Sequence, residues 1–202
     1  LEFAKNNKKI KKFLYFSTDE VFGPAPKKTQ FKEDDRYKSG NPYAASKAGG
    51  EEMCMAYANT YKLPVIITHT MNVFGERQHP EKFIPKIIKS LINKKSITIH
   101  SNKNRTLPGS RFYIHAGDVS EAIIFLLNKG RVGEKYNIVG KKEINNLDLA
   151  KIIAKYLNKK LIYKMVDFHS SRPGHDLRYA LDGKKLKKLG WEPKKDVIKR
   201  LE

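Results

Sequence analysis

The chain has 202 residues, 40% of them hydrophobic, enough to build a sizeable core and too many for a wholly disordered polymer. Its one cysteine excludes an intrachain disulfide framework, and no apolar run approaches the roughly 18 residues of a membrane-spanning helix. The 41 basic and 21 acidic residues leave a formal charge of +20, but only eight of the basic residues are arginines and no RNP-like or zinc-finger spacing accompanies them, so a non-catalytic polyanion-binding module is the alternative class and specific nucleic-acid binding is not expected.

Residues 1–12 read as the tail of a polar helix. They lack the apolar core of a signal peptide, and with the cysteine count this predicts a reducing, cytoplasmic setting and no membrane partner. Residues 13–17 (FLYFS) have the short apolar run of a buried parallel strand. Gly23 to Pro26 break the chain, and 27–40 are polar and loop-like. Good helix formers over 43–61, with Pro42 just ahead, predict a helix. A second buried strand follows at 63–70, then an amphipathic helix over 80–93 with Phe83, Ile84, Ile87, Ile88 and Leu91 on one face. The remaining elements are a strand at 96–100, a loop at 102–110, a strand at 111–115, a helix at 118–128 capped by Asp118, a strand at 136–139, a helix at 146–157 capped by Asn145, a strand at 161–166, and a Lys-rich helix at 181–189 ended by Gly190. Strands alternating with helices predict an α/β fold with a parallel sheet. A dinucleotide-binding unit opens with a strand, a Gly-rich turn and a helix, yet no GxGxxG occurs here. The expectation is therefore a piece of a longer protein whose N-terminal part is missing.

Two clusters carry chemistry. Tyr43 and Lys47 lie four apart on the predicted helix and share a face, an arrangement in which the ammonium lowers the phenol toward working pH; the plain alternative is a surface pair. Asp19 and Glu20 follow the first strand directly, where ligands sit in parallel α/β sheets. Adjacent carboxylates in a cleft raise one another's pKa, which suits one protonated acid and one ionised base; the alternative is a solvated turn or helix cap. The six histidines show no metal-ligand spacing, Cys54 reads as a packed helix residue, and GxSxG is absent.

Ser17-Thr18-Asp19-Glu20-Val21-Phe22-Gly23 followed by Asn41-Pro42-Tyr43-Ala44-Ala45-Ser46-Lys47 resembles the extended short-chain dehydrogenase/reductase family, and within it the nucleotide-sugar 4,6-dehydratases that act on dTDP- or UDP-glucose. Further matches follow in order: Met71 to Gly75, Pro80 to Pro85, Arg111 seven before Asp118, Tyr136-Asn137-Ile138, and Arg172 to Asp176 with Arg178-Tyr179. The resemblance implies a partial Rossmann-like doubly wound sheet with a smaller α/β substrate domain. Residues 1–75 would complete the cofactor domain, 76–202 would mainly hold the nucleotide sugar, and 111–128 would return to the cofactor domain. It implies NAD as cofactor, held by Ser17, Tyr43, Lys47 and Val73. Thr18, Asp19, Glu20, Tyr43 and Lys47 would be catalytic. Thr18, Asn72, Lys82, Phe83, Thr98, His100, Arg111, Asn137, Arg172 and His175 would bind a nucleoside-diphosphate sugar, with the two arginines on the pyrophosphate. The implied assembly is a homodimer joined through helices that include 43–61. The carboxylates Asp19 and Glu20 favour dehydration; a nucleotide-sugar epimerase or a UDP-amino-sugar dehydratase on the same scaffold remains open.

Overall fold

The structure, a computed structural model, describes residues 1–168 and 177–201. Arg172 and His175 fall outside them. Three parallel strands form the central sheet in the order β1 (Phe13–Thr18), β2 (Val65–Thr70), β7 (Lys135–Ile138). Register pairs Thr18 with Thr70 and Thr70 with Ile138, so the carboxyl ends of all three strands meet at one end of the sheet. Helix α1 (Glu2–Asn6) and helix α2 (Pro42–Tyr61) pack on one face through Ala4, Cys54, Leu63, Val65 and Ile67. Helix α4 (Ala116–Lys129) and helix α6 (Lys184–Leu189) pack on the other through Ile66, Ala122, Leu126, Ile138 and Leu186. This is the layered α/β architecture expected from strands alternating with helices.

β2 is buried on both sides, as its apolar run predicts. β1 is not: it is an edge strand of this sheet, and Phe16 is half exposed. Helix α2 begins as expected, with Pro42 in the first turn and Asn41 accepting from Ala44 N–H at 2.9 Å. It lies so close to β1 that a Cβ at Gly50 would stand 2.0 Å from the Tyr15 hydroxyl, and only glycine permits that approach.

A second core surrounds helix α3 (Phe83–Ile92), strand β4 (Ile97–Ser101) and helix α5 (Asn146–Tyr156), with Ile84, Ile87, Leu91, Ile99, Leu149 and Ile153 at its centre. β4 pairs in parallel with β9 (Tyr163–Asp167). Replacing fully buried Ile87 with Ala should cost about 2–5 kcal/mol, because the cavity cannot collapse between two helices and a strand; a lower urea midpoint at unchanged slope is the check.

Elsewhere too the structure departs from expectation. Helix α3 starts at Phe83 rather than residue 80, with Pro85 in its first turn, where a missing N–H breaks no helical bond. The segment 111–115 is two short strands: β5 (Ser110–Phe112), antiparallel to β8 (Glu143–Asn145), and β6 (Ile114–His115), parallel to β3 (Val73–Phe74). His115, not Asp118, caps α4, its Nδ1 accepting from Gly117 N–H at 3.1 Å. Asp118 is instead buried and paired with Arg200 on helix α7 (Val197–Leu201). The return to the first sheet also runs past residue 128, since β7 is one of its three strands. Asn145 caps α5 as its position predicts, accepting from Asp148 N–H at 2.8 Å.

Candidate active site

A cleft of about 610 Å³ opens at the carboxyl ends of β1 and β2. It brings together Ser17, Thr18, Asp19 and Glu20 from β1 and its following 3-10 turn (Asp19–Phe22) with Tyr43 and Lys47 from the first turns of α2. Asn72 and Val73 enter after β2, and Lys82 and Phe83 at the start of α3. Phe16, Val73, Ala116 and Val119 supply an apolar wall.

The Thr18 hydroxyl organises the floor. It donates to Asp19 Oδ1 at 3.0 Å and accepts weakly from Glu20 N–H at 3.4 Å, and it shares the cleft with the Tyr43 phenol. Asp19 is buried, and burial pushes its carboxyl up to about 6, with the Arg111 guanidinium pulling the other way and Glu20 adding to the rise. Its second oxygen, Oδ2, has no hydrogen-bond partner among the described residues. A buried carboxyl that readily holds a proton and carries a spare oxygen is equipped as a general acid. Glu20 is held differently: Asn41 Nδ2 donates to its Oε2 at 2.9 Å. Since Asn41 Oδ1 caps α2, one side chain fixes both the start of the tyrosine helix and the direction of Glu20.

The expectation that Lys47 lowers the Tyr43 phenol is corrected. The phenol is raised by burial, with Glu20 and Asp19 adding to the rise and Thr18 opposing it. Lys47 instead rests its ammonium 4.7 Å over the Tyr15 ring. Burial first, and the carboxylates facing Tyr43 after it, outweigh a cation stacked elsewhere.

The other sugar-nucleotide positions divide. Thr98 and His100 do not line this cleft; they line a second groove of about 670 Å³ with Lys86, Lys89 and Lys95, and Phe83 borders both. Arg111 NH1 donates to the carbonyls of Ser110 and Leu177, each at 2.6 Å, and its guanidinium lies 4.8 Å over the Tyr179 ring. Asn137 is not brought to the cleft. It is buried, its Oδ1 meets His69 Nδ1 at 2.9 Å, and its Nδ2 donates to the carbonyls of Phe31 and Asp182 at 3.0 and 3.1 Å. An amide so engaged pins the core; a ligand would have to break those bonds. Ser17 lines the cleft, but its hydroxyl proton is committed to Glu51.

Three residues went unread in the sequence. Asn41 lay within a quoted motif, and Asn before Pro is a helix-start signal. Thr70 and Gln78 gave no signal. Both line the cleft, and Thr70 Oγ1 and Gln78 Oε1, like Asp19 Oδ2, are buried without a partner among the described residues. Gln78 Nε2 donates to the Val73 carbonyl at 2.7 Å, which leaves Oε1 as an acceptor only. Buried polar groups are ordinarily satisfied, so three orphans around one cleft fit a ligand rich in donors, such as a sugar or a carboxamide. Among the described residues no group of His, Cys, Asp and Glu is arranged to hold a metal, and no helix is long and apolar enough to cross a membrane.

The sequence model of the family described as GDP-mannose 4,6 dehydratase matches residues 1–201. The chain is 39% identical over 204 residues to the dTDP-D-glucose 4,6-dehydratase of Bos taurus, covering 98% of this chain and 56% of that one. It is 40% identical over 194 residues to a trifunctional UDP-glucose 4,6-dehydratase/3,5-epimerase/reductase of Arabidopsis thaliana, covering 95% of this chain and 28% of that one. It thus spans about half the length of the former and about a quarter of the latter. Among solved structures, the dTDP-glucose 4,6-dehydratase DesIV of Streptomyces venezuelae, with NAD and TYD bound, superposes with a TM-score of 0.84 at 33% identity, covering 95% of this chain and 57% of that one. The UDP-glucuronic acid 4-epimerase of Bacillus cereus, in complex with UDP-glucuronic acid and NAD, gives 0.88 at 26% identity, covering 99% and 62%.

Proposed function

This chain belongs to the GDP-mannose 4,6 dehydratase family, and from that premise we propose that it serves the NAD-dependent dehydration of dTDP- or UDP-glucose to the 4-keto-6-deoxy sugar. The observation that carries the reading is Asp19: a buried carboxyl with a free oxygen, raised to about 6, beside a second carboxylate aimed by Asn41. Epimerisation at C4 has no use for such an acid and base pair, whereas elimination of water needs both.

Each residue then has one task. Tyr43 removes the C4-hydroxyl proton while Thr18 holds the same oxygen. NAD, when bound there, would supply a reversible hydride acceptor for oxidation at C4 and reduction at C6. Lys47 holds the nicotinamide ribose, with Ser17 and Val73 alongside it, and the apolar wall of Phe16, Val73 and Val119 suits a flat ring. The C4 ketone acidifies the C5 proton, which Glu20 takes and gives back to C5 as the 6-deoxy sugar forms. Asp19 gives its proton to the departing C6 hydroxyl, so that water leaves. Asn72, Lys82 and Phe83 hold the sugar diphosphate; the groove of Thr98, His100, Lys86 and Lys89 takes the base end. We also read the protein as a cytoplasmic homodimer assembled through α2, where Met53 and Tyr61 are exposed.

Incubation with dTDP-glucose and UDP-glucose, followed by proton NMR of the sugar, tests the reaction. A new C6 methyl signal on one of the two substrates is expected. A C4 epimer with its C6 oxygen retained would replace dehydration with epimerisation. Equal, salt-steep binding of any polyanion without turnover would return the protein to the binding-module class.

A further inference from the structure

Helix α2 carries Tyr43 and Lys47, yet it lacks the apolar stripe that ordinarily seats a helix on a sheet. Of its 20 residues the buried ones are Ala44, Glu51 and Cys54: two small side chains and a carboxylate. Glu51 lies four residues past Lys47 and eight past Tyr43, on the same helical face. Its side chain has no solvent exposure, and its two oxygens reach all three strands of the sheet. Oε1 accepts from the Ser17 hydroxyl on β1. Oε2 accepts from the Tyr37 hydroxyl in the preceding loop and lies 3.1 Å from His69 Nε2 on β2 and 3.6 Å from Lys135 Nζ on β7. These partners are themselves held: His69 by Asn137, and Tyr37 by a bond from Lys135 Nζ at 2.7 Å. Burial pushes the Glu51 carboxyl upward, but the bonds from His69, Ser17 and Tyr37 more than reverse this and hold it below the usual carboxylate range. Ser17 immediately precedes Thr18, which lines the cleft together with Tyr43. The carboxylate therefore ties the tyrosine helix to the strand end that presents the reacting groups.

We infer that Glu51 is the positioning residue that sets the rotation of α2 on the sheet and so holds the Tyr43 phenol against Thr18, Asp19 and Glu20. The large apolar side chains that seat α2, partly buried Met55 and Tyr57 beside Cys54, all lie in its C-terminal half; in the half that carries Tyr43 and Lys47 only small residues pack, and a carboxylate with directional partners fixes the rotation there. The inference rests on the reading of Tyr43 as the proton acceptor.

The test uses Glu51→Gln and Tyr37→Phe; the second removes one hydroxyl from the carboxylate but keeps the ring edge-on to Phe22. Two readouts are taken. Alkaline titration of ring-13C-labelled tyrosine, with Tyr43 assigned through Tyr43→Phe, reports the phenol's surroundings. Steady-state kinetics reports turnover. Glu51→Gln should move the Tyr43 midpoint down toward the free phenol value of about 10, and Tyr37→Phe should move it less in the same direction. Displacement by about an ångström should lower kcat about 100-fold, with KM for the nucleotide sugar within about threefold. Glu51→Asp, which keeps the charge, should recover part of kcat. An unmoved Tyr43 midpoint in folded Glu51→Gln overturns the inference, as does a loss confined to melting temperature. If Glu51→Gln does not fold, an unmoved midpoint in Tyr37→Phe overturns it. Absence of turnover in the unaltered protein would sink the proposed reaction instead, while the titration still decides the positioning role.

Discussion

Tyr43→Phe should lower kcat by about 10²–10⁴-fold, the range for loss of a positioned acid or base, and leave the melting temperature almost unchanged. The two parts of this expectation come from separate observations. The residue is 53% exposed, so removing the hydroxyl costs little packing. The phenol nonetheless shares the cleft with Thr18, Asp19 and Glu20, where a C4 hydroxyl would have to lose its proton. Because burial and those carboxylates raise the phenol above its ordinary value, its charged form is scarce at neutral pH. Turnover limited by this step should rise with pH through the neutral range, and the rising limb should vanish in Tyr43→Phe. Circular dichroism melts beside the pH–rate profile check both. A drop in melting temperature matching the drop in rate would make Tyr43 a structural residue.

Asp19→Asn should abolish product formation and at the same time stabilise the protein at neutral pH. The carboxyl is raised from 3.8 to about 6 in the fold. Between those values the folded state binds more protons than the unfolded one, so stability falls as pH rises through this window and stays reduced above it. Two pH units correspond to roughly 3 kcal/mol. Asparagine retains an oxygen for the Thr18 hydroxyl and removes the buried charge. The variant should match the original near pH 4 and melt about 5–10 °C higher at pH 8. Its oxidation half-reaction uses Thr18, Tyr43 and Lys47, so slow reduction of bound NAD should persist while dehydration stops. Equal melting at both pH values would show that the carboxyl is not raised. Retained dehydration would remove Asp19 as the acid. A residue that weakens the fold in order to hold a proton where it is needed is an expected cost of a functional site.

Much of the scaffold was legible because it depends on neighbours in the chain. β2 is an unbroken apolar run and is buried on both sides. Pro42 after Asn41 marks the start of α2, and the apolar spacing of α3 marks its buried face. The strand of three residues at 143–145 and the split at 111–115 were not legible, because segments so short are set by their pairing partners rather than by local pattern. The capping role expected of Asp118 failed for a similar reason: Arg200, 82 residues away, claims its carboxylate.

The candidate site divides along the same line. The order of residues was enough to place Thr18, Asp19 and Glu20 at a strand end and Tyr43 with Lys47 on one helix face, since strand ends and four-residue helical spacing are local properties. Only the tertiary structure decided what those groups can do. Asp19 became a candidate acid through burial, with Glu20 adding to the rise and Arg111 opposing it, and the Tyr43 phenol rose where local spacing predicted a fall. Asn137 was drawn into the core by His69, Phe31 and Asp182, whereas Thr70 Oγ1 and Gln78 Oε1 were left at the cleft without a partner among the described residues. Desolvation and hydrogen-bond satisfaction depend on groups brought from many tens of residues away, so no window of sequence contains them.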